Sequence, residues 1–160
     1  METKLEYFLT NSHKTEMISY LGSHPEDFNE AIKLAISDKQ PYSWRAAWII
    51  WSCMDRNDKR IRRYVKKIID ILPYRKDNQQ RELLMILQRM ELNSDYEGQL
   101  FDVCTKIWGK IGKNPSLRYN AFKVLVAISK KHQDLSNEIK SLTESYYTDS
   151  LSDNLSSINN

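Results

Sequence analysis

The chain has 160 residues, of which 41% are hydrophobic and 28% charged, and a formal net charge of +3. That balance fits one globular domain with ample solvated surface, and it excludes attraction to polyanions by bulk charge alone. Only 4 Gly and 4 Pro occur, too few to punctuate a sheet protein with many tight turns, so the expected fold class is all-α.

In chain order, helical periodicity first covers Glu2 to Thr10. Its acidic residues Glu2 and Glu6, and the lack of an apolar run after a basic stretch, argue against a secretory leader. A second segment runs from Lys14 to Leu21 and stops at Gly22. Pro25, Glu26 and Asp27 then suit a helical first turn, and Phe28, Ile32, Ala35 and Ile36 supply the inward stripe. The next pair opens at Pro41 with SWRAAWIIWSCM, apolar nearly all round, breaks at Asp55 to Asp58, and is expected to continue as one helix from Lys59 to Leu72. A third pair starts at Asp77, breaks across Asn93 to Asp95 and resumes through Trp108. The fourth begins with a capping Asn114 and a first-turn Pro115, breaks at His132 to Asp134, and ends through Leu135, Ile139 and Leu142. The expected domain therefore covers residues 1–145, and 146–160 read as a polar tail with one helical turn around Leu151 to Leu155.

Arg45, Arg81 and Arg118 each fall early in a helical segment, 36 and 37 residues apart. A period of that size marks stacked helical hairpins, because one hairpin cannot bury its apolar face alone. The repeated stretches PYSWRAAWII and NPSLRYNAFKVL, with an early Arg and small Ala residues, resemble the first helix of HEAT-like repeats. That resemblance implies an αα-superhelix, an alpha solenoid of about four HEAT-like hairpins, with Arg side chains tying one repeat to the next. Through SDKQPYSWRAAW and overall size, the chain is also similar to short bacterial HEAT-like proteins sometimes labelled "adenylosuccinate lyase". A lyase of that name is a much longer chain with a Gly- and Ser-rich loop and catalytic His and Ser. The scattered glycines here supply no such loop, so lyase activity is not expected.

Two constellations stand out. Trp44, Trp48 and Trp51 follow steps of four and three along one helix, with Asp55 continuing the line. Indoles in such a row are expected to fill gaps between stacked helices, in the core. If open, the row could stack bases, in outline like the HEAT-like DNA alkylation-repair glycosylases, although their catalytic residues cannot be matched to this chain. The second is charge: seven of the twelve residues from Arg56 to Lys67 are basic and one is acidic. A helical wheel puts Ile61, Tyr64, Val65, Ile68, Ile71 and Leu72 on one face, with Lys59, Arg63, Lys66, Lys67 and Asp70 opposite.

Catalytic signals are poor. His13, His24 and His132 are far apart, Cys53 and Cys104 have no CxxC or histidine companion, and no phosphate-binding glycine loop, GxSxG or dinucleotide fingerprint occurs. No apolar run is long enough to span a bilayer; the longest is Ala46 to Trp51. The expectation is therefore a cytoplasmic, non-catalytic binding module or scaffold with no catalytic residue, metal or cofactor. Lys59, Arg60, Arg63, Lys66 and Lys67 would attract a protein partner with an acidic surface. A nucleic-acid binder using the Trp row is the alternative, no membrane partner is expected, and a homo-oligomer is kept open.

Overall fold

Short polar side chains written into the sequence, Thr3, Asp58, Asn93 and Asn114, cap four of the described helices. The computed structural model describes residues 1–149 and 151, and all regular structure among them is helical. The helices group into two compact units, Met1–Leu92 and Asn93 onward, taken in turn.

In the first unit, α1 (Lys4–Asn11) begins at a reciprocal capping box. The Thr3 hydroxyl accepts from the Glu6 amide at 3.1 Å, and the Glu6 carboxylate accepts from the Thr3 amide at 2.9 Å. Helix α2 (Lys14–Ser23) follows, then a single 3-10 turn at Pro25–Asp27 that feeds α3 (Phe28–Ile36). The expected first helical turn at Pro25 is thus wound one residue tighter than an α-turn. On α3, Phe28, Ala31, Ile32, Ala35 and Ile36 are buried, a stripe of the width a core-facing helix presents. Next come α4 (Tyr42–Cys53), α5 (Lys59–Arg62), α6 (Val65–Ile71), a 3-10 turn at Leu72–Tyr74, and α7 (Asp77–Leu87).

The expected single helix from Lys59 to Leu72 is two helices. The chain tightens at Arg63 and Tyr64, where the Tyr64 amide reaches the Ile61 carbonyl at 2.8 Å in a three-residue step. Both side chains at the break converge on Asn29 of α3, the Tyr64 hydroxyl at 2.5 Å and Arg63 Nη2 at 3.0 Å. The rotation this introduces explains a departure from the wheel: Ile69 is fully buried, whereas Ile71 is only half-buried.

Helix α4 is central to the first unit and packs against α1, α2, α3 and α7. Its buried stripe is Ser43, Ala46, Ala47, Ile49 and Ile50, and the two alanines let its neighbours approach closely. Polar ties join successive pairs. Gln79 Nε2 donates to the carbonyls of Ala35 and Ser37 at 2.8 and 2.7 Å, and the Arg75 guanidinium forks onto the Ile36 carbonyl at 2.7 and 3.1 Å. Together they satisfy carbonyls that the end of α3 leaves without helical partners.

The second unit contains α8 (Ser94–Gly109), α9 (Pro115–Ser129), a 3-10 turn at Gln133–Leu135, α10 (Ser136–Ser141) and α11 (Ser145–Thr148). Asn114 caps α9 as its sequence signal predicts, accepting from the amides of Ser116 and Leu117 at 2.9 and 3.3 Å, with Pro115 in the first turn. Helices α8 and α9 pack together through Leu100, Cys104, Trp108, Leu117, Ala121 and Leu125, each fully excluded from solvent. Of the stretch read as a polar tail, residues 150 and 152–160 lie outside the described residues, as does most of the turn expected at Leu151 to Leu155. Leu151 itself is buried.

Candidate functional site

Three residues on one face of α4 line a cleft of the first unit. Trp44, Trp48 and Trp51 lie one helical turn apart on the side away from Ala46, Ile49 and Ile50, with Ala47 flanking them. All three are half-buried, so each indole packs against its neighbours on one side and keeps part of its surface open to the cleft. On α4, Ala46, Ile49 and Ile50 supply the close-packed contact, and the bulkier indoles take the opposite, incompletely covered side. They open onto a cavity of about 590 Å³. That volume is within the range of small-ligand and peptide side-chain sites.

The cleft is closed on one side by the start of α2, with His13, Lys14 and Met17, and on the other by Arg81 and Glu82 of α7. Cations sit against the indole faces. Lys14 Nζ lies 5.2 Å from the Trp48 ring, the Arg45 guanidinium 5.3 Å from Trp44, and that of Arg89 4.9 Å from Trp51. Trp48 and Trp51 meet edge to face at 6.1 Å and 75°. Glu82 is held from two directions: Trp51 Nε1 donates to it at 2.5 Å and Arg81 Nη1 at 2.6 Å. Three cationic side chains, Lys14, Arg45 and Arg81, thus line the cleft against one carboxylate.

Arg45 is distinctive within this group. Its Nη1 donates to the Leu9 carbonyl at 3.0 Å, which ties α4 to the end of α1 and fixes the guanidinium in the wall. Its Nε is shielded from solvent yet has no hydrogen-bond acceptor, and Arg45 forms no ion pair with any described residue.

The other arginines of the 36-residue series behave differently. Arg118 is fully buried in the second unit, donates from Nε to the Trp108 carbonyl at 2.8 Å and from Nη2 to the Tyr147 carbonyl at 2.5 Å, and lies 4.6 Å from the Trp108 ring. Burial pushes its pKa below the usual arginine value. Arg118 and Arg45 both reach carbonyls at the end of an earlier helix, as a repeat tie does. Arg81 pairs with its neighbour Glu82.

The basic segment is exposed at Lys59, Arg60, Arg63, Lys66 and Lys67, but several of these charges are engaged within the protein. Arg60 forks onto Asp58 at 2.8 and 3.0 Å and covers the Phe28 ring at 3.4 Å. Hydrogen bonds from Arg60 hold the Asp58 carboxyl at about 2, well below its ordinary range. Lys66 pairs with Asp70 at 2.5 Å, and Arg63 is bound to Asn29. None of the five lines the tryptophan cleft.

Asp55 is exposed and takes no part in the cleft. Among the described residues no group of three or more His, Cys, Asp and Glu side chains is arranged to hold a metal ion, and no helix is long and apolar enough to cross a membrane. Sequence reasoning found the indoles but not their companions Lys14, Arg81 and Glu82, whose convergence depends on how α2 and α7 flank α4. The only linear hint was the spacing that puts Arg45 and Arg81 at equivalent points of successive pairs.

Paired helices, each half-satisfied alone and tied to the next by side chains reaching helix-end carbonyls, define a helical-repeat protein. The HEAT repeat domain family matches residues 1–160, and the chain belongs to that family. No curated protein matches the chain, and no solved structure does so.

Proposed function

We propose that this HEAT repeat protein is a non-catalytic binding module that takes a segment of an acidic protein partner into the tryptophan cleft of its first unit. One observation carries the reading: three indoles remain half-buried around a cavity of about 590 Å³ whose wall carries three cations against one carboxylate. Aromatic side chains and arginines are the residue types that dominate binding energy at protein interfaces, where they fill or form desolvated pockets. Indole faces offer apolar contact, and the surplus positive charge selects anionic partners. Lys59, Arg60, Arg63, Lys66 and Lys67 contribute long-range attraction, so their effect falls on association rate and salt dependence more than on the final contact.

The carboxylate in the cleft is a structural element on this reading. Glu82 accepts from both Trp51 and Arg81 and so orients the indole and the guanidinium that flank it.

A second reading, single-stranded nucleic acid stacked on the indoles, is favoured by their openness to the cleft. It fits less well because a strand needs a basic track beyond one pocket, and Glu26, Asp27 and Glu30 of the same unit carry negative charge. Fluorescence anisotropy separates the readings. A labelled acidic peptide with aromatic residues, labelled single-stranded DNA, duplex DNA and RNA are titrated with the protein at low and moderate salt. The peptide is expected to bind, to lose affinity in Trp48→Ala and on addition of salt, and, when Arg60, Arg63, Lys66 and Lys67 are replaced by Glu, to associate more weakly at low salt with a smaller loss on adding salt. Binding of single-stranded DNA alone, abolished by Trp48→Ala, would replace the protein-partner reading with the second.

A further inference from the structure

We infer that Arg45 is the anion receptor of the cleft, and that the segment it accepts places a carboxylate side chain beside a large apolar one. This deepens the cleft-binding reading and rests on it. Three observations converge on Arg45. It is anchored, since Nη1 is bound to the Leu9 carbonyl at 3.0 Å and the guanidinium rests 5.3 Å from the Trp44 ring. It has no counter-ion among the described residues. Its side chain lines the cleft beside the indoles of Trp44 and Trp48.

An unpaired guanidinium in the wall of a cleft gains a charge-assisted, fork-shaped partner when a carboxylate enters. A guanidinium with one edge fixed is already oriented, so less side-chain entropy is lost when the anion arrives.

The other cations differ. Arg81 is bound to Glu82 at 2.6 Å, and Lys14 is an exposed ammonium over the Trp48 ring at 5.2 Å, placed to draw the anion in. The indoles of Trp44 and Trp48 border the same space, so a group attached next to the carboxylate meets aromatic surface. An acidic residue adjacent to Phe, Tyr or Leu in an extended peptide has this chemistry. A phosphodiester strand carries the same charge in a different frame, and the test below includes it.

The experiment uses the full chain labelled with ¹⁵N and reads the indole N–H resonances. Trp108, fully buried in the second unit, serves as an internal reference for folding and for nonspecific effects. The probes are acetyl-Asp-Phe-Asp-amide, its uncharged counterpart acetyl-Asn-Phe-Asn-amide, and a short oligo-dT. The expected result is that the acidic tripeptide shifts the indoles of Trp44 and Trp48 and leaves Trp108 unmoved, with the Asn peptide about tenfold weaker. Arg45→Gln should equalise the two peptides, and Arg45→Lys should restore part of the preference because the charge returns without the fork.

Equal affinity of both peptides for the native protein would overturn the role of Arg45 while leaving the cleft as a binding site. No shift of the three cleft indoles with any probe would overturn the cleft reading itself. Tighter, Arg45-dependent binding of oligo-dT than of the acidic peptide would overturn the peptide assignment. An Arg45→Gln protein whose Trp108 resonance is native but whose preference for the acidic peptide is unchanged would also contradict it.

Discussion

Asp58 illustrates how a single side chain can do two jobs in this chain. It accepts from the amides of Asp55 and Arg60 and is forked by the Arg60 guanidinium, so it both caps α5 and anchors a cation. Its folded pKa, about 2, lies below the ordinary 3.8. A depressed carboxyl contributes stability that is present above the unfolded value and lost as the pH falls through the folded one. Native stability should therefore decline between about pH 4 and pH 2 in part through this residue. Asp58→Asn keeps the cap but removes the charge, and should cost about 1 kcal/mol at neutral pH in urea unfolding, since solvent screens the half-exposed Arg60. The difference between the two proteins should shrink toward pH 2; a constant difference across that window would show that charge is not the cause. At Arg118, replacement by Met retains the stem but strips donors from the Trp108 and Tyr147 carbonyls. It should cost about 2–4 kcal/mol by the same measurement.

At the scale of the element, much was legible because caps and periodicity are local. Asn114-Pro115 predicts the start of α9, and the structure places the cap there. Asn114→Ala should lower stability by about 1 kcal/mol, measured as a shift in the denaturant midpoint. The division of residues 59–72 into α5 and α6 was not legible. It depends on Asn29, some 34 positions earlier, which receives both Arg63 and Tyr64 and accompanies a tightened turn in what reads as one amphipathic helix. The same holds for the end of α3, where Gln79 and Arg75 act as a cap delivered from the following pair. Gln79→Ala should cost about 1–3 kcal/mol by leaving those carbonyls buried and unmatched, an effect absent if Gln79 were merely a surface residue.

For the whole molecule, the family, the all-α class and the hairpin period follow from features the sequence repeats: the early Arg, the small residues beside it and the near absence of Gly and Pro. The site follows from what is not repeated. The Trp44, Trp48 and Trp51 row belongs to one pair, and its helical spacing is equally compatible with a core stripe or an open wall. Spacing alone cannot choose, because exposure depends on whether neighbouring helices cover that face, and α2 and α7 leave it partly open. The basic segment was conspicuous in composition, yet Asp58, Asn29 and Asp70 engage Arg60, Arg63 and Lys66 within the fold.

The binding reading requires that an anion from solvent can reach the cleft indoles. Collisional quenching of tryptophan fluorescence by iodide and by caesium at matched ionic strength tests this directly. The account predicts a substantial fraction quenched by iodide and much less by caesium, because cations line the cleft. That iodide-sensitive fraction should vanish when Trp44, Trp48 and Trp51 are replaced by Phe, leaving only the protected Trp108. Indoles inaccessible to both ions, or quenched more by caesium than by iodide, would contradict it.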